Sequence, residues 1–171
     1  MPKNGLVVNP DGTKEWYRNG QLHRDGGKPA VIHADGIKEW FRNGQLHRDG
    51  DKPAIMYANG VKFWYRDGQR HRDGDKPAVI YANGSREWYR NGRLHRGGDK
   101  PAVIYANGTK FWYRNGRLHR DGGRPAVIHA DGTREYWTND KRWRELPNGM
   151  LGLGIMMIRK AEGRGGCSLK K

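Results

Sequence analysis

The sequence predicts an all-β protein: an elongated, solenoid-like twisted antiparallel sheet with one two-stranded hairpin per 24-residue module. Three observations carry this. The nine residues WYRNGRLHR stand at 88–96 and again at 112–120, and close variants begin at Trp16, Trp40 and Trp64, always 24 residues apart. Self-similarity at a fixed period of this length marks stacked supersecondary units. Within each module two runs, the residues around Trp-Tyr and the string Pro-Ala-Val-Ile-Tyr/His-Ala, favour strands, and helical periodicity is absent. Between the second run of one module and the first run of the next lies Asn-Gly or Asp-Gly, the strongest short hairpin signal.

Taken in order, residues 1–10 are an N-terminal half-repeat cap, because GLVVNP at 5–10 imitates the second half of a module. Five tandem repeats fill 11–130, as 11–34, 35–58, 59–82, 83–106 and 107–130, without insertions. Residues 131–147, DGTREYWTNDKRWRELP, form a degenerate sixth repeat that closes the array, since a repeat cannot hide its apolar face without a neighbour. Residues 148–171 are read as a capping strand, from the apolar GMLGLGIMMI, followed by a basic flexible tail, with a partner-binding or membrane-touching segment as the alternative for the apolar part.

In the fifth module the hairpin AVIYA-NG-TKFWYR is expected to close on a two-residue type I′ turn at Asn107-Gly108, with positive φ at both residues. That register places Lys110, Trp112 and Arg114 on one face with Tyr105, Val103 and Pro101. Thr109, Phe111 and Tyr113 then share the other face with Ala106, Ile104 and Ala102. NGRLHRDGGRP at 115–125 becomes a connecting loop. A third strand at RLHR is rejected because an odd strand count would reverse each successive module in a meander.

Composition bounds the function. The chain has 171 residues, 33 Lys+Arg against 18 Asp+Glu and a formal charge of +15, which points to an acidic partner. Only 35% of residues are hydrophobic and 26 are Gly, so a large three-dimensional core is excluded. Seven Trp and eight Tyr exclude a disordered basic tail. The lone Cys167 can form no internal disulfide, the N-terminal stretch has no apolar signal core, and 149–158 is too short to span a bilayer. A cytoplasmic location is expected, the host cytoplasm for a phage or viral protein.

With its aromatic strand, N-G-x-x-H loop and second strand ending in D/N-G, the module resembles the MORN repeat, on the residues WYRNGRLHRDG at 112–122 and VIYANG at 103–108. The resemblance covers most of 5–147. Three departures make it a variant: Trp-Tyr-Arg stands for the usual Tyr-x-Gly of the first strand, an Arg replaces the Gly after His, and Lys-Pro-Ala is inserted. Repeats of this style are similar to those of bacteriophage and large DNA virus proteins. The resemblance implies a binding or assembly module that contacts membrane lipid, dimerises or scaffolds proteins, with no catalytic residues of its own.

The residues themselves point the same way. His23, His47, His71, His95 and His119 occupy one position in five modules, and equivalents about 10 Å apart cannot share a metal whose ligands must lie within about 2.3 Å. No metal or other cofactor is expected. His-Arg-Asp, which also opens the kinase catalytic loop, lacks the following Asn and the companion motifs, so it reads as a loop. Nothing resembles a nucleophile–base pair or a phosphate loop, and an enzyme is not expected.

The remaining signals are ladders. Trp64, Trp88 and Trp112 are read either as packing residues with basic stems across them or as a stacking platform for bases. Net charge by module runs +1, 0, +2, +3 and +4, so the candidate polyanion-binding residues lie in the later modules: Lys62, Arg66, Arg70, Arg72, Arg86, Arg90, Arg93, Arg96, Lys110, Arg114, Arg117 and Arg120. The expected function is a non-enzymatic module binding an acidic macromolecule, a nucleic-acid backbone or acidic protein surface, with anionic lipid and a homodimer as further partners. The alternative is a protein-interaction module, a phage or viral factor that inhibits or scaffolds a host protein.

Overall fold

A computed structural model describes residues 3–145, 150–153 and 156–159. The chain is all-β. It divides into two compact units, Met1–Arg93 and Leu94–Lys171.

In the first unit one antiparallel ladder runs from Gly5–Val8 through Lys14–Arg18, Val31–Ile32, Lys38–Glu39, Ile55–Met56, Lys62–Phe63 and Val79–Ile80 to Arg86–Glu87. The second unit repeats the pattern with Val103–Ile104, Lys110–Phe111, Val127–Ile128 and Arg134–Glu135. Each module contributes two ladder segments, which is the expected one hairpin per repeat. The N-terminal half-repeat closes its end by pairing Gly5 with Tyr17 and Val8 with Lys14.

The turn differs from the sequence expectation by one residue. Val103 faces Phe111 and Ile104 faces Lys110, so three residues, Ala106 to Gly108, close the hairpin. Gly108 has φ 89° and donates its N–H to the Tyr105 carbonyl, while Asn107 stays out of the left-handed region and its Oδ1 accepts the Thr109 N–H. This is a type I turn with a glycine bulge, which the Asn side chain favours over a two-residue turn by bonding its own backbone two residues on. Because side chains alternate, the slip re-sorts the faces. Val103 joins Phe111, and Ile104 joins Lys110.

The two-residue turn with both φ positive lies elsewhere, at Asn115 (φ 52°) and Gly116 (φ 84°). It joins Tyr113–Arg114 to Arg117–Leu118, so the loop expected at 115–125 begins with a strand. The same small hairpin recurs as Phe41–Arg42 with Gln45–Leu46 and as Tyr65–Arg66 with Gln69–Arg70. The parity objection to this strand fails because the small hairpin branches off as an arm and adds no strand to the ladder.

The branch point is the tryptophan. Trp64 N–H donates to the Ala78 carbonyl in the ladder, while its own carbonyl accepts the His71 N–H of the arm. Its neighbours are alanines: Ala54 and Ala78 have no exposed surface, and the indole beside them is 6% exposed. The buried set of the first unit is therefore Ala30, Val31, Ala54, Ile55, Ala78 and Val79 with Trp40, Trp64 and Trp88, and that of the second includes Ala102, Val103, Ala126 and Val127 with Trp112.

In the sixth repeat Tyr136 takes the tryptophan position and Trp143 the histidine position, both 7% exposed. The apolar segment forms its own hairpin, Met150–Leu153 with Met156–Arg159, laid on Arg144–Glu145. It does not pair with Arg134–Glu135, the last ladder strand. The basic tail expected beyond it lies outside the described residues.

Candidate polyanion-binding surface

Three side chains recur around each tryptophan, and together they decide which cations remain available. The arginine two residues before the next Gly-rich bend lies flat on the indole: Arg24 on Trp16 at 3.5 Å, Arg48 on Trp40 at 3.6 Å, Arg72 on Trp64 at 3.8 Å and Arg120 on Trp112 at 3.9 Å. Its Nη1 donates to a proline carbonyl five residues on, as from Arg72 to Pro77. The indole Nε1 donates to the loop carbonyl thirteen residues earlier, Trp64 to Asp51 and Trp112 to Asp99. Ring, edge and face are all occupied, so the tryptophans pack and do not present open platforms.

The loop aspartate of one module then receives the arginine and lysine of the next. Asp51 accepts Nε of Arg72 at 2.7 Å and Nζ of Lys76 at 2.7 Å; Asp99 accepts Nε of Arg120 at 2.8 Å and Nη1 of Arg124 at 2.5 Å. Hydrogen bonding from Arg72, reinforced by Lys76, lowers the Asp51 carboxyl to about 2, and Arg120 lowers that of Asp99 in the same way.

The histidines are stitches between modules. Nδ1 of His23 accepts the N–H of Asn43 and that of His47 the N–H of Asp67, while Nε2 of each ring donates to the aspartate two residues on. Arg66 and Arg114 in turn pair with Asp73 and Asp121. His-Arg-Asp is thus fully explained by structure: His bridges repeats, Arg covers Trp, Asp holds His. Among the described residues no group of three His, Cys, Asp or Glu is placed to hold a metal ion.

The candidate cations therefore separate. Arg66, Arg72, Arg114 and Arg120 are engaged by aspartates, Arg96 donates to the Pro101 carbonyl, and Arg70 donates to the hydroxyls of Tyr65 and Tyr89. Lys62, Arg86, Arg90, Arg93, Lys110 and Arg117 have no carboxylate within salt-bridge distance among the described residues, and all but the half-buried Lys62 are exposed. Arg93 and Arg117 stand on the arms where Gln21, Gln45 and Gln69 stand in earlier modules.

Lys62, Arg86 and Lys110 share one register position. In the first unit Lys14, Lys38, Lys62 and Arg86 alternate across the ladder with Ile32, Met56 and Ile80. In the second, Lys110 and Arg134 flank Ile128. Lys14, Lys38 and Arg134 belong to the row although the charge gradient pointed past them; the x-K-x pattern before each Trp was the signal.

The opposite register carries aromatics. Tyr57 and Phe63 meet at 5.7 Å and Tyr105 and Phe111 at 5.3 Å, with Tyr57 38% and Tyr105 44% exposed. Elsewhere the pair becomes polar: Tyr81 donates its hydroxyl to Glu87 at 3.0 Å, and Nε2 of His129 donates to Glu135 at 3.0 Å. Burial and the Glu87 carboxylate raise the Tyr81 hydroxyl to about 12. Compared with known proteins, the chain matches no family model and no curated protein.

Proposed function

We propose that this protein is a non-enzymatic, MORN-like repeat module that binds an acidic macromolecule, in the first instance a nucleic-acid backbone, through rows of uncompensated Lys and Arg. The observation that carries the reading is the in-register row Lys14, Lys38, Lys62, Arg86 in one unit and Lys110, Arg134 in the other, none paired to a carboxylate among the described residues. Cations on every second strand recur at about 10 Å. That spacing meets several phosphates without reading a base. Arg90, Arg93 and Arg117 add charge on the arms, so the later modules bind most strongly. The same row suits anionic lipid headgroups.

The test is a mobility shift on mixed-sequence DNA at several salt concentrations. Replacing Lys38, Lys62 and Arg86 with Ser should lower the slope of log K against log salt by about 0.9 per cation removed. An unchanged slope would reject the surface.

A second reading, a protein-interaction module of phage or viral origin acting on a host protein, is favoured by the half-exposed Tyr57–Phe63 and Tyr105–Phe111 pairs. Tyr57→Ser with Tyr105→Ser would abolish that binding while leaving the salt slope on DNA intact.

A further inference from the structure

The modules are near copies, so a group present in some and missing from another exposes what the missing group did. At Asp51, Oδ1 takes Arg72 Nε and Oδ2 takes both Arg72 Nη2 at 3.2 Å and Lys76 Nζ at 2.7 Å; Asp99 serves Arg120 and Arg124 identically. One module earlier the acid is Gly27, while the cations that would face it, Arg48 and Lys52, are retained. Arg48 still lies on Trp40 and still donates Nη1 to the Pro53 carbonyl at 3.2 Å. Neither Arg48 nor Lys52 has a carboxylate within salt-bridge distance among the described residues.

The space is there as well. A groove of ≈ 460 Å³ lies between the first and second loops, lined by five cations and two carboxylates. The equivalent groove between the second and third loops, where Asp51 is present, is ≈ 330 Å³ and lined by four cations and three carboxylates. A Cβ built on Gly27 would meet nothing within 4 Å. Burial also lowers the Arg48 pKa, as expected of a guanidinium removed from water without a counter-charge.

We infer that Gly27, Arg48 and Lys52 form a site for one phosphate-class oxyanion, which takes the place of the missing Asp side chain. Two oxygens fill the positions of Oδ1 and Oδ2, meeting the Nε and Nη2 edge of Arg48 and the Lys52 ammonium; the absent methylene leaves room for a third. A doubly charged tetrahedral anion suits this edge better than a single carboxylate, because its second negative charge matches the two cations Arg48 and Lys52 and its third oxygen takes the room the absent methylene leaves. The site is a discrete pocket apart from the Lys38–Lys62–Arg86 row, so it stands or falls independently of the proposed polyanion surface.

The experiment is a titration of the full chain with inorganic phosphate at constant ionic strength, following the Gly27 N–H and Arg48 Nε–H resonances. Both should shift together and saturate, and acetate should bind at least about tenfold more weakly. Gly27→Asp should eliminate the saturating shift and raise the unfolding temperature; Asp is accepted there, since Asp51, Asp75 and Asp99 sit at φ 54°, 55° and 54°. Asp51→Gly should create a second saturable site reported by Arg72. Shifts that grow without saturation at every cation, retention of binding by Gly27→Asp, or equal affinity for acetate would each overturn the assignment.

Discussion

Nδ1 of His71 accepts the backbone N–H of Asn91 over 3.1 Å, and Nε2 of the same ring lies 2.8 Å from Oδ1 of Asp73. The ring is therefore a neutral imidazole bridging two modules. Protonation would place one N–H against another. Burial, aided by the Arg66 charge, holds the His71 pKa below its ordinary 6.5. A histidine with a depressed folded pKa contributes stability that is present above about 6.5 and lost as pH falls towards the folded value. The urea midpoint should therefore drop between pH 7 and pH 5, before the carboxylates of Asp49, Asp51 and Asp67, all held below the ordinary 3.8, take up protons. His71→Gln should be less stable at pH 7 and show a flatter profile over that interval; an unaltered profile would show that the ring does not act through this bond.

Arg72 is at once a ring cover, a donor to the Pro77 carbonyl and a bidentate partner of Asp51. Its substitution should cost stability before it affects any ligand. Arg72→Lys loses the planar fork and should destabilise by about 1–2 kcal/mol, and Arg72→Ala by about 2–3 kcal/mol. Tryptophan fluorescence of the folded Ala variant should shift to the red as the Trp64 face becomes wet. By contrast, Lys38→Ser, in the exposed row, should leave the urea midpoint within about 0.5 kcal/mol.

Why the fold was legible while half of the candidate surface was not follows from these arginines. Period and strand propensity are properties of single segments, so the repeats, the β class and the ladder hairpins could be read directly from WYRNGRLHR and PAVIYA. Whether Arg72 faces water or Asp51 depends on a residue 21 positions away in the preceding module. The turn failed for a related reason: Asn107-Gly108 and Asn115-Gly116 are the same dipeptide, yet only the second has φ positive at both residues. At Asn107 the side chain accepts the Thr109 N–H, whereas at Asn115 the backbone N–H is held by Nδ1 of His95. The acceptor role of the histidine ladder appears only when Asn43 or Asp67 is placed against it.

The two kinds of turn should respond differently to substitution. Gly108 has φ 89° with nothing near its Cβ direction, so Gly108→Ala introduces backbone strain alone and should cost about 1–2 kcal/mol. Asn115 already sits at φ 52°, a conformation Gly also adopts freely, so Asn115→Gly should change the denaturation midpoint by a few tenths of a kcal/mol. Equal losses at the two sites would contradict the assignment of a three-residue turn to one and a two-residue turn to the other.

Asp51 provides the sharpest probe of coupling between neighbouring modules. Its carboxyl is lowered from 3.8 to about 2, first by the Arg72 hydrogen bond and then by Lys76. A depressed carboxylate contributes stability present above about 3.8 and lost as pH falls through about 2. The Asp51 side chain is 42% exposed, so solvent screening limits the effect, and Asp51→Asn should cost about 1 kcal/mol at pH 7. The difference between wild type and variant should shrink to nothing in acid, as the wild-type carboxyl itself becomes neutral. Combining Asp51→Asn with Arg72→Ala should then cost less than the two single losses together, because both remove the same contact. Additive losses would mean that Arg72 is held by the Trp64 ring and the Pro77 carbonyl alone, and that the loop acid merely decorates it.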